Sequence, residues 1–272
     1  NSTTETIGKT SKLINGLSKG NVNGVFNAAY FDSNKQELTL INDRLGFRPL
    51  YYMETEDWFA YAGEVKALLT LLDRTPKVDE VSLRQFFGFN HMLGNRTWWE
   101  GIEMVPSASV FTVSENGVTV RSYWSFDEIK SQSQDPMEVE KEFANLWSLD
   151  VSRHSKEGTM PFLLSGGLDS RFLLAELIEQ GADLVAITFG SEESAEMKPA
   201  SYIASVAGIP HRRCYLNTDN WWHRREEAIW QTDGLVNANH LHYAITMDYM
   251  HTGNLYSPIN IVGDLLFGGS HL

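Results

Sequence analysis

Two domains of different kind, an α+β half followed by an α/β half, are predicted for this chain of 272 residues. Three observations predict them. Short β-type runs punctuated by turn residues crowd the first half, whereas strands alternate with helical stretches in the second. Between the halves lies SFDEIKSQSQDP (125–136), polar, poor in large apolar residues and closed by proline, the composition of a linker. The resulting division is a first domain at 1–125, a linker at 126–136 and a second domain at 137–272.

In the first half, NGVFNAAYFD (23–32), ELTLIND (37–43), RPLYYM (48–53) and WFAYAGE (58–64) read as strands, separated by DSNKQ and RLGF. EVKALLTLLDR and DEVSLRQFFGF carry helical spacing, and SVFTVSENGVTVRSYW (109–124) is a hairpin that turns at Asn116-Gly117. In the second half, PMEVEKEFANLWSLDVSRH is an amphipathic helix and MPFLLS a short buried strand. SRFLLAELIEQG (helix), DLVAITFG (strand), AEMKPASYIASVAG (helix, interrupted at Pro199) and PHRRCYL (strand) follow, then a long helical region and a last strand, SPINIVGD. Such alternation implies crossover connections and a parallel sheet.

Bulk composition limits what the halves do. With 42% hydrophobic and 21% charged residues the chain has enough apolar content for a sizeable core. No apolar run approaches the roughly 20 residues of a membrane-spanning helix. The single cysteine, Cys214, rules out an internal disulfide framework and fits a reducing compartment, so a cytoplasmic location is expected. A formal charge of −13 argues against a general nucleic-acid binder, because phosphate backbones attract basic faces. It leaves open a small phosphate ligand, which needs only local dipoles and a cation.

PFLLSGGLDSRFLLAEL (161–177) supplies those dipoles. SGGLDS falls between a strand and a helix, where open α/β sheets bind ligands. Gly166 and Gly167 lack Cβ atoms, so backbone N–H groups can approach an anion. A helix starting near Ser170 points its positive end at the same place, and Ser165 and Ser170 add hydroxyls. Asp169 repels phosphate unless a cation bridges them, most simply Mg²⁺. A plain corner capped by Ser170 or Asp169 would account for one polar residue but not the cluster. The spacing matches neither a Walker A loop nor a dinucleotide fingerprint.

LLSGGLDSR resembles the pyrophosphate loop of the asparagine synthetase superfamily. NGVFNAAYFDSNKQELTLINDRLGFRPLYY is similar to the later part of that family's glutamine-hydrolysing domain, YAGEVKALL (61–69) continues it, and DLLFGG (264–269) resembles the second phosphate-facing loop. The resemblance implies a partial N-terminal-nucleophile type αββα sandwich, then a parallel-sheet, adenine-nucleotide α hydrolase-like ATP-pyrophosphatase domain. It also implies an ATP-dependent, amide-forming ligase. A small-molecule or peptide carboxylate is adenylated, pyrophosphate leaves and an amine attacks; oligomerisation stays open. Ser165, Gly166, Gly167, Asp169 and Ser170 would then hold the pyrophosphate, with Asp169 and Asp264 sharing Mg²⁺. Leu163, Thr188 and Phe189 would border the adenine and ribose of ATP.

Two departures qualify this. Residue 1 is Asn1 where the family's amidotransferase has its nucleophilic cysteine, so the chain reads as truncated at both ends, or its glutaminase as lost. In the second loop, INIVGDLLFGG, Ile261 and Leu265 replace two carboxylates. That puts aspartate-to-asparagine conversion in doubt and keeps open a catalytically silent scaffold or regulatory homologue. No catalytic base is assigned. His240 and His242, two apart, are a poor chelate pair; Thr232-Asp233-Gly234 reads as a surface loop, and Cys214 as a small buried hydrophobe.

Overall fold

In a computed structural model, residues 12, 14–19, 21–130, 135–155 and 158–250 are described. The chain forms two compact units, one of Asn1–Gln132 with Thr232–Asn237, the other of Ser133–Gln231 with Ala238–Leu272.

Among the described residues, the first unit carries two antiparallel sheets. β1 (Asn27–Asp32), β2 (Glu37–Asn42), β6 (Ser109–Ser114) and β7 (Gly117–Ser122) order as β1-β2-β6-β7. β3 (Tyr51–Glu54), β4 (Phe59–Ala62) and β5 (Ile102–Met104) order as β4-β3-β5. The sequence pattern missed β5, whose three residues are too few to show alternation. Ser114 pairs with Gly117 across the β6–β7 hairpin, so Glu115 and Asn116 form its two-residue turn, one position earlier than expected.

Successive side chains of β3 part to opposite faces. Tyr52 meets Phe59 and Phe111 in an aromatic cluster between the sheets, with Tyr52–Phe111 centroids 4.6 Å apart. Tyr51 and Met53 bury themselves on the other face against Val65 and Leu68 of α1 (Val65–Leu69). The longer α2 (Glu80–Phe89) is capped by Asp79, whose carboxylate accepts from the N–H groups of Val81 and Ser82.

Thr232–Asn237 is sewn into this first unit. The Asp233 carboxylate accepts from the backbone N–H of Val65 at 2.8 Å and of Lys66 at 3.1 Å, across 168 and 167 positions of sequence. Lys66 Nζ adds an ion pair at 3.3 Å. Trp98 Nε1 donates to the Gly234 carbonyl, and Leu235 packs beside Tyr51 and Met53. The surface-loop reading of this segment is therefore corrected: the Asp233 side chain is 7% exposed and serves as the cap of α1.

The second unit follows strand–helix alternation. α3 (Pro136–His154) leads into β8 (Met160–Leu163), α4 (Leu168–Glu179), β9 (Leu184–Gly190), α5 (Met197–Ala207) and β10 (His211–Tyr215). The three strands are parallel in the order β10-β9-β8. Phe162, Leu184 and Ala186 face Leu173, Leu174 and Leu177 of α4 and Ala200 and Ala204 of α5. On the other face, Ile187 and Cys214 pack with Ile245 from a 3₁₀ turn, His242–Thr246.

Pro199 does not interrupt α5. It is the third helical residue, where a missing N–H removes only a donor that has no intrahelical acceptor. The long helical region after β10 is broken into α6 (Arg225–Gln231), two 3₁₀ turns and α7 (Met247–Met250). The expected strand SPINIVGD lies outside the described residues.

Candidate functional site

The Ser165–Ser170 loop joins β8 to α4. Leu164 still follows the sheet, its N–H donating to the Ile187 carbonyl at 2.9 Å. Gly166 then turns with φ +83°, and a Cβ built there would stand 3.0 Å from the Pro199 Cβ and 3.2 Å from the Ala200 nitrogen. The close approach of α5 and the left-handed backbone both demand glycine at this position. Gly167 is extended and is the N-cap of α4, with no side-chain acceptor closing the helix end. The helix begins at Leu168, two residues before the expected start, so Asp169 sits inside the first turn.

The two serines secure the loop itself. Ser165 Oγ and Ser170 Oγ lie 3.1 Å apart; the Gly167 N–H donates to Ser165 Oγ, and Ser170 Oγ donates to the Gly167 carbonyl. Arg171 Nε donates to the same carbonyl at 3.3 Å. Asp169 is exposed, and among the described residues its carboxylate makes neither a hydrogen bond nor an ion pair. The loop thus offers an open helix N-terminus, a hydroxyl-bridged glycine turn and a carboxylate free to bind a cation. That donor set fits a phosphate chain with a hard divalent cation.

Beside it, the second unit holds a cavity of about 460 Å³ at the carboxyl ends of β9 and β10. Its walls include Phe189, Gly190, Ser194, Glu196, Leu216, Trp221 and His242. Glu196 ties cavity to loop, because its carbonyl is 3.5 Å from the position a Gly166 Cβ would take. Ser194 Oγ is buried without a partner among the described residues.

Of the residues expected around a base, Phe189 lines this cavity, and Leu163 packs in the same cluster. Thr188 projects from the opposite face of β9. It is 2% exposed, donates from its hydroxyl to the Leu164 carbonyl at 2.6 Å and contacts His211 Nε2 at 2.9 Å, joining β8 to β10 across the sheet. Asp264, Ile261 and Leu265 lie outside the described residues. Among the described residues, His240 and His242 form no metal cluster. Trp221 and His242 were missed as site residues, since only the fold brings them to the mouth of β9.

At the far side of the cavity wall Arg225 is buried, 1% exposed. Its guanidinium stacks 3.8 Å from the centre of the Trp221 ring, donates to the Trp221 and Ala238 carbonyls and reaches His242 Nδ1 at 3.1 Å. Burial, then Arg225, then His240 hold the His242 imidazole below the usual histidine range. Cys214 is enclosed behind Ile187 and Ile245, and burial pushes its thiol up to about 11.

Two family models match this chain, a glutamine amidotransferase domain over residues 1–124 and asparagine synthase over 151–249. Asparagine synthetase [glutamine-hydrolyzing] 3 of Bacillus subtilis (strain 168) is 26% identical over 230 residues, covering 76% of this chain and 37% of that protein. Asparagine synthetase [glutamine-hydrolyzing] 1 of the same strain is 25% identical over 215 residues, covering 77% and 34%. Asparagine synthetase [glutamine-hydrolyzing] of Cricetulus griseus is 26% identical over 230 residues, covering 78% and 38%. The chain therefore spans between a third and two fifths of the length of these relatives. An NH3-dependent NAD synthetase from Campylobacter jejuni is 18% identical with a TM-score of 0.31, covering 50% of this chain and 61% of that one, too slight a likeness to bear on the fold. A glutamine amidotransferase domain and an asparagine synthase domain matched on one chain, together with these relatives, support its assignment to the asparagine synthetase superfamily.

Proposed function

We propose that the second unit binds ATP and belongs to an ATP-dependent, amide-forming synthetase. The single observation that carries this reading is the uncapped start of α4 beneath the Gly166 turn, with the Asp169 carboxylate exposed beside it. Backbone N–H groups of the first helical turn, with Ser165 and Ser170, would receive the phosphates. Asp169, with Asp264, would hold Mg²⁺, which when bound neutralises charge on the departing pyrophosphate. The base and sugar of ATP would lie toward Phe189 and the adjoining cavity.

In the proposed reaction a carboxylate oxygen of the substrate attacks the α-phosphorus of ATP and the bond to the bridging oxygen breaks. Pyrophosphate leaves with that electron pair, giving an acyl-adenylate. An amine then attacks the acyl carbon, loses a proton and displaces AMP, leaving an amide. The loop's part is electrostatic: fixed N–H dipoles meet charge as it builds on the leaving group, with little reorganisation. The first unit has the matched amidotransferase domain, in keeping with ammonia drawn from an amide donor. The N-terminal-nucleophile sandwich belongs to the same proposal, and its paired antiparallel sheets support it.

Calorimetric titration of the protein with ATP and Mg²⁺ tests the binding step. Saturable heat, lost in Gly166→Ala and Asp169→Asn, is the expected result; no heat from the unaltered protein overturns the reading. Ile261 and Leu265 favour the second reading, a silent scaffold. Pyrophosphate release with ATP and candidate acids, assayed on the full-length protein, separates a ligase from a binding-only homologue.

A further inference from the structure

We propose that Arg225 is a positioning residue that locks His242 in its neutral, Nε2-protonated form, so that the cavity presents a fixed hydrogen-bond donor to an acceptor atom on the nucleotide's heteroaromatic base. The identity of the ligand rests on the ATP-binding reading above; the lock rests on the geometry of this chain alone.

A guanidinium has only donors. Where Arg225 meets His242 Nδ1 at 3.1 Å, the imidazole nitrogen must therefore accept, and the ring proton is left on Nε2. Protonating His242 would set an N–H against the guanidinium and break the contact. Arg225 cannot easily turn away, because its other nitrogens are held by the Trp221 and Ala238 carbonyls and its plane lies on the Trp221 ring.

The groups around His242 all favour the neutral ring or are engaged elsewhere. Arg225 faces it from α6 and His240 lies on its own segment; both oppose a positive charge. β9, which packs on the His242–Thr246 turn, brings no titratable side chain. On α7, Asp248 is taken by His223 at 2.6 Å and Arg224 at 3.0 Å. Glu196 is the one acidic member of the cavity lining among the described residues.

His242 Nε2 makes no hydrogen bond among the described residues, and it belongs to the same lining as Ser194 Oγ, which is likewise unpartnered there. The imidazole donor thus stands unused among Phe189, Leu216 and Trp221, while the Ser194 hydroxyl is enclosed behind the lining. A planar ring with an acceptor nitrogen meets both features, the apolar walls and the unused donor. The cavity volume lies within the range of small-ligand sites.

The test has a ligand-free arm and a binding arm, both on this full chain. Histidine ¹⁵N–¹H correlation spectra, with His242→Gln as the assignment control, are expected to show an unprotonated Nδ1 and a protonated Nε2 for His242 from about pH 6 to about pH 8. An Nδ1-protonated ring, or one titrating like a free histidine, overturns the lock. In the second arm ATP with Mg²⁺ is titrated calorimetrically. His242→Phe and Arg225→Met are expected to weaken binding about tenfold, the scale of one neutral hydrogen bond. His242→Gln, whose amide keeps a donor, is expected to stay within about threefold.

Should Arg225→Met fail to fold, His242→Phe and the spectra of the unaltered protein still decide. ATP binding that is sensitive to Asp169→Asn but indifferent to His242→Phe defeats this inference and leaves the ATP reading standing. No ATP binding at all defeats the ligand assignment, while the spectra still report on the lock.

Discussion

Two loops of this chain use the same ingredients, an aspartate, a positive-φ glycine and short polar side chains, for opposite ends. In Asn42–Phe47 the two polar side chains Asn42 and Asp43 turn inward, while Leu45 and Phe47 stay exposed. Asp43 is 2% exposed, and its carboxylate accepts from the N–H groups of Phe26, Leu45 and Phe47. Asn42, 1% exposed, bonds the Val105 and Pro106 carbonyls and the Ser109 N–H. Gly46 turns where a Cβ would meet Ser107 at 3.1 Å. In Ser165–Ser170 the serines likewise brace the turn, yet the helix end is uncapped and Asp169 faces solvent without a partner among the described residues. Residue type alone does not separate scaffold from site. What separates them is whether the hydrogen-bonding capacity is already consumed.

The contrast makes Asp43→Ala more damaging to the fold than any single change in Ser165–Ser170. It would take the buried acceptor from three part-buried backbone donors and lower unfolding free energy by about 3 kcal/mol, read by urea denaturation. Gly166→Ala comes next, at about 2 kcal/mol, from the strained φ and the contact with Pro199; calorimetric titration of this variant would show ATP binding lost. Asp169→Asn should leave stability within about 0.5 kcal/mol, as for an exposed side chain, while abolishing magnesium-dependent ATP binding. If Asp169→Asn proved as destabilising as Asp43→Ala, the distinction between the two loops would fail.

Cys214 probes the same contrast through its smallest effect. Its thiol, at about 11 in the folded state against an ordinary 9.0, keeps its proton longer than the unfolded chain does. The unfolded state then binds fewer protons above pH 9, so this contribution is complete below that value and fades as pH rises toward about 11. Alkylation by iodoacetamide near neutral pH is expected to be much slower than for a free thiol and to reach the free-thiol rate in denaturant. Rapid labelling of the folded protein would contradict the burial of this side chain.

Much of the second unit was legible because local pattern and tertiary role agree there. Leu184–Gly190 is a short, near-continuous apolar run as expected of a strand covered on both faces, and Pro136–His154 has proline at its first position and Asp135 as cap. The SGGLDS cluster stood out because a strand–helix corner has no need of so many polar groups. Legibility failed where a short segment takes its role from a distant partner. Asp233 sits in an unremarkable Thr-Asp-Gly triplet, and nothing nearby in sequence indicates that its carboxylate caps a helix some 170 positions earlier. His242 is similar: its chemistry is set by Arg225, and its place at the cavity by the packing of the 242–246 turn on β9. Thr188 and Phe189 are neighbours in sequence, yet strand alternation sends one into the sheet's bracing and the other to the cavity.

Periodicity and backbone sterics are local, so the order of residues already dictated the two-part organisation, the parallel strand–helix alternation and the glycine turn at Ser165–Ser170. Which polar groups remain unspent was settled only by the packed chain. A carboxylate or an imidazole is committed when a donor from elsewhere comes within hydrogen-bond reach, and packing sets that distance.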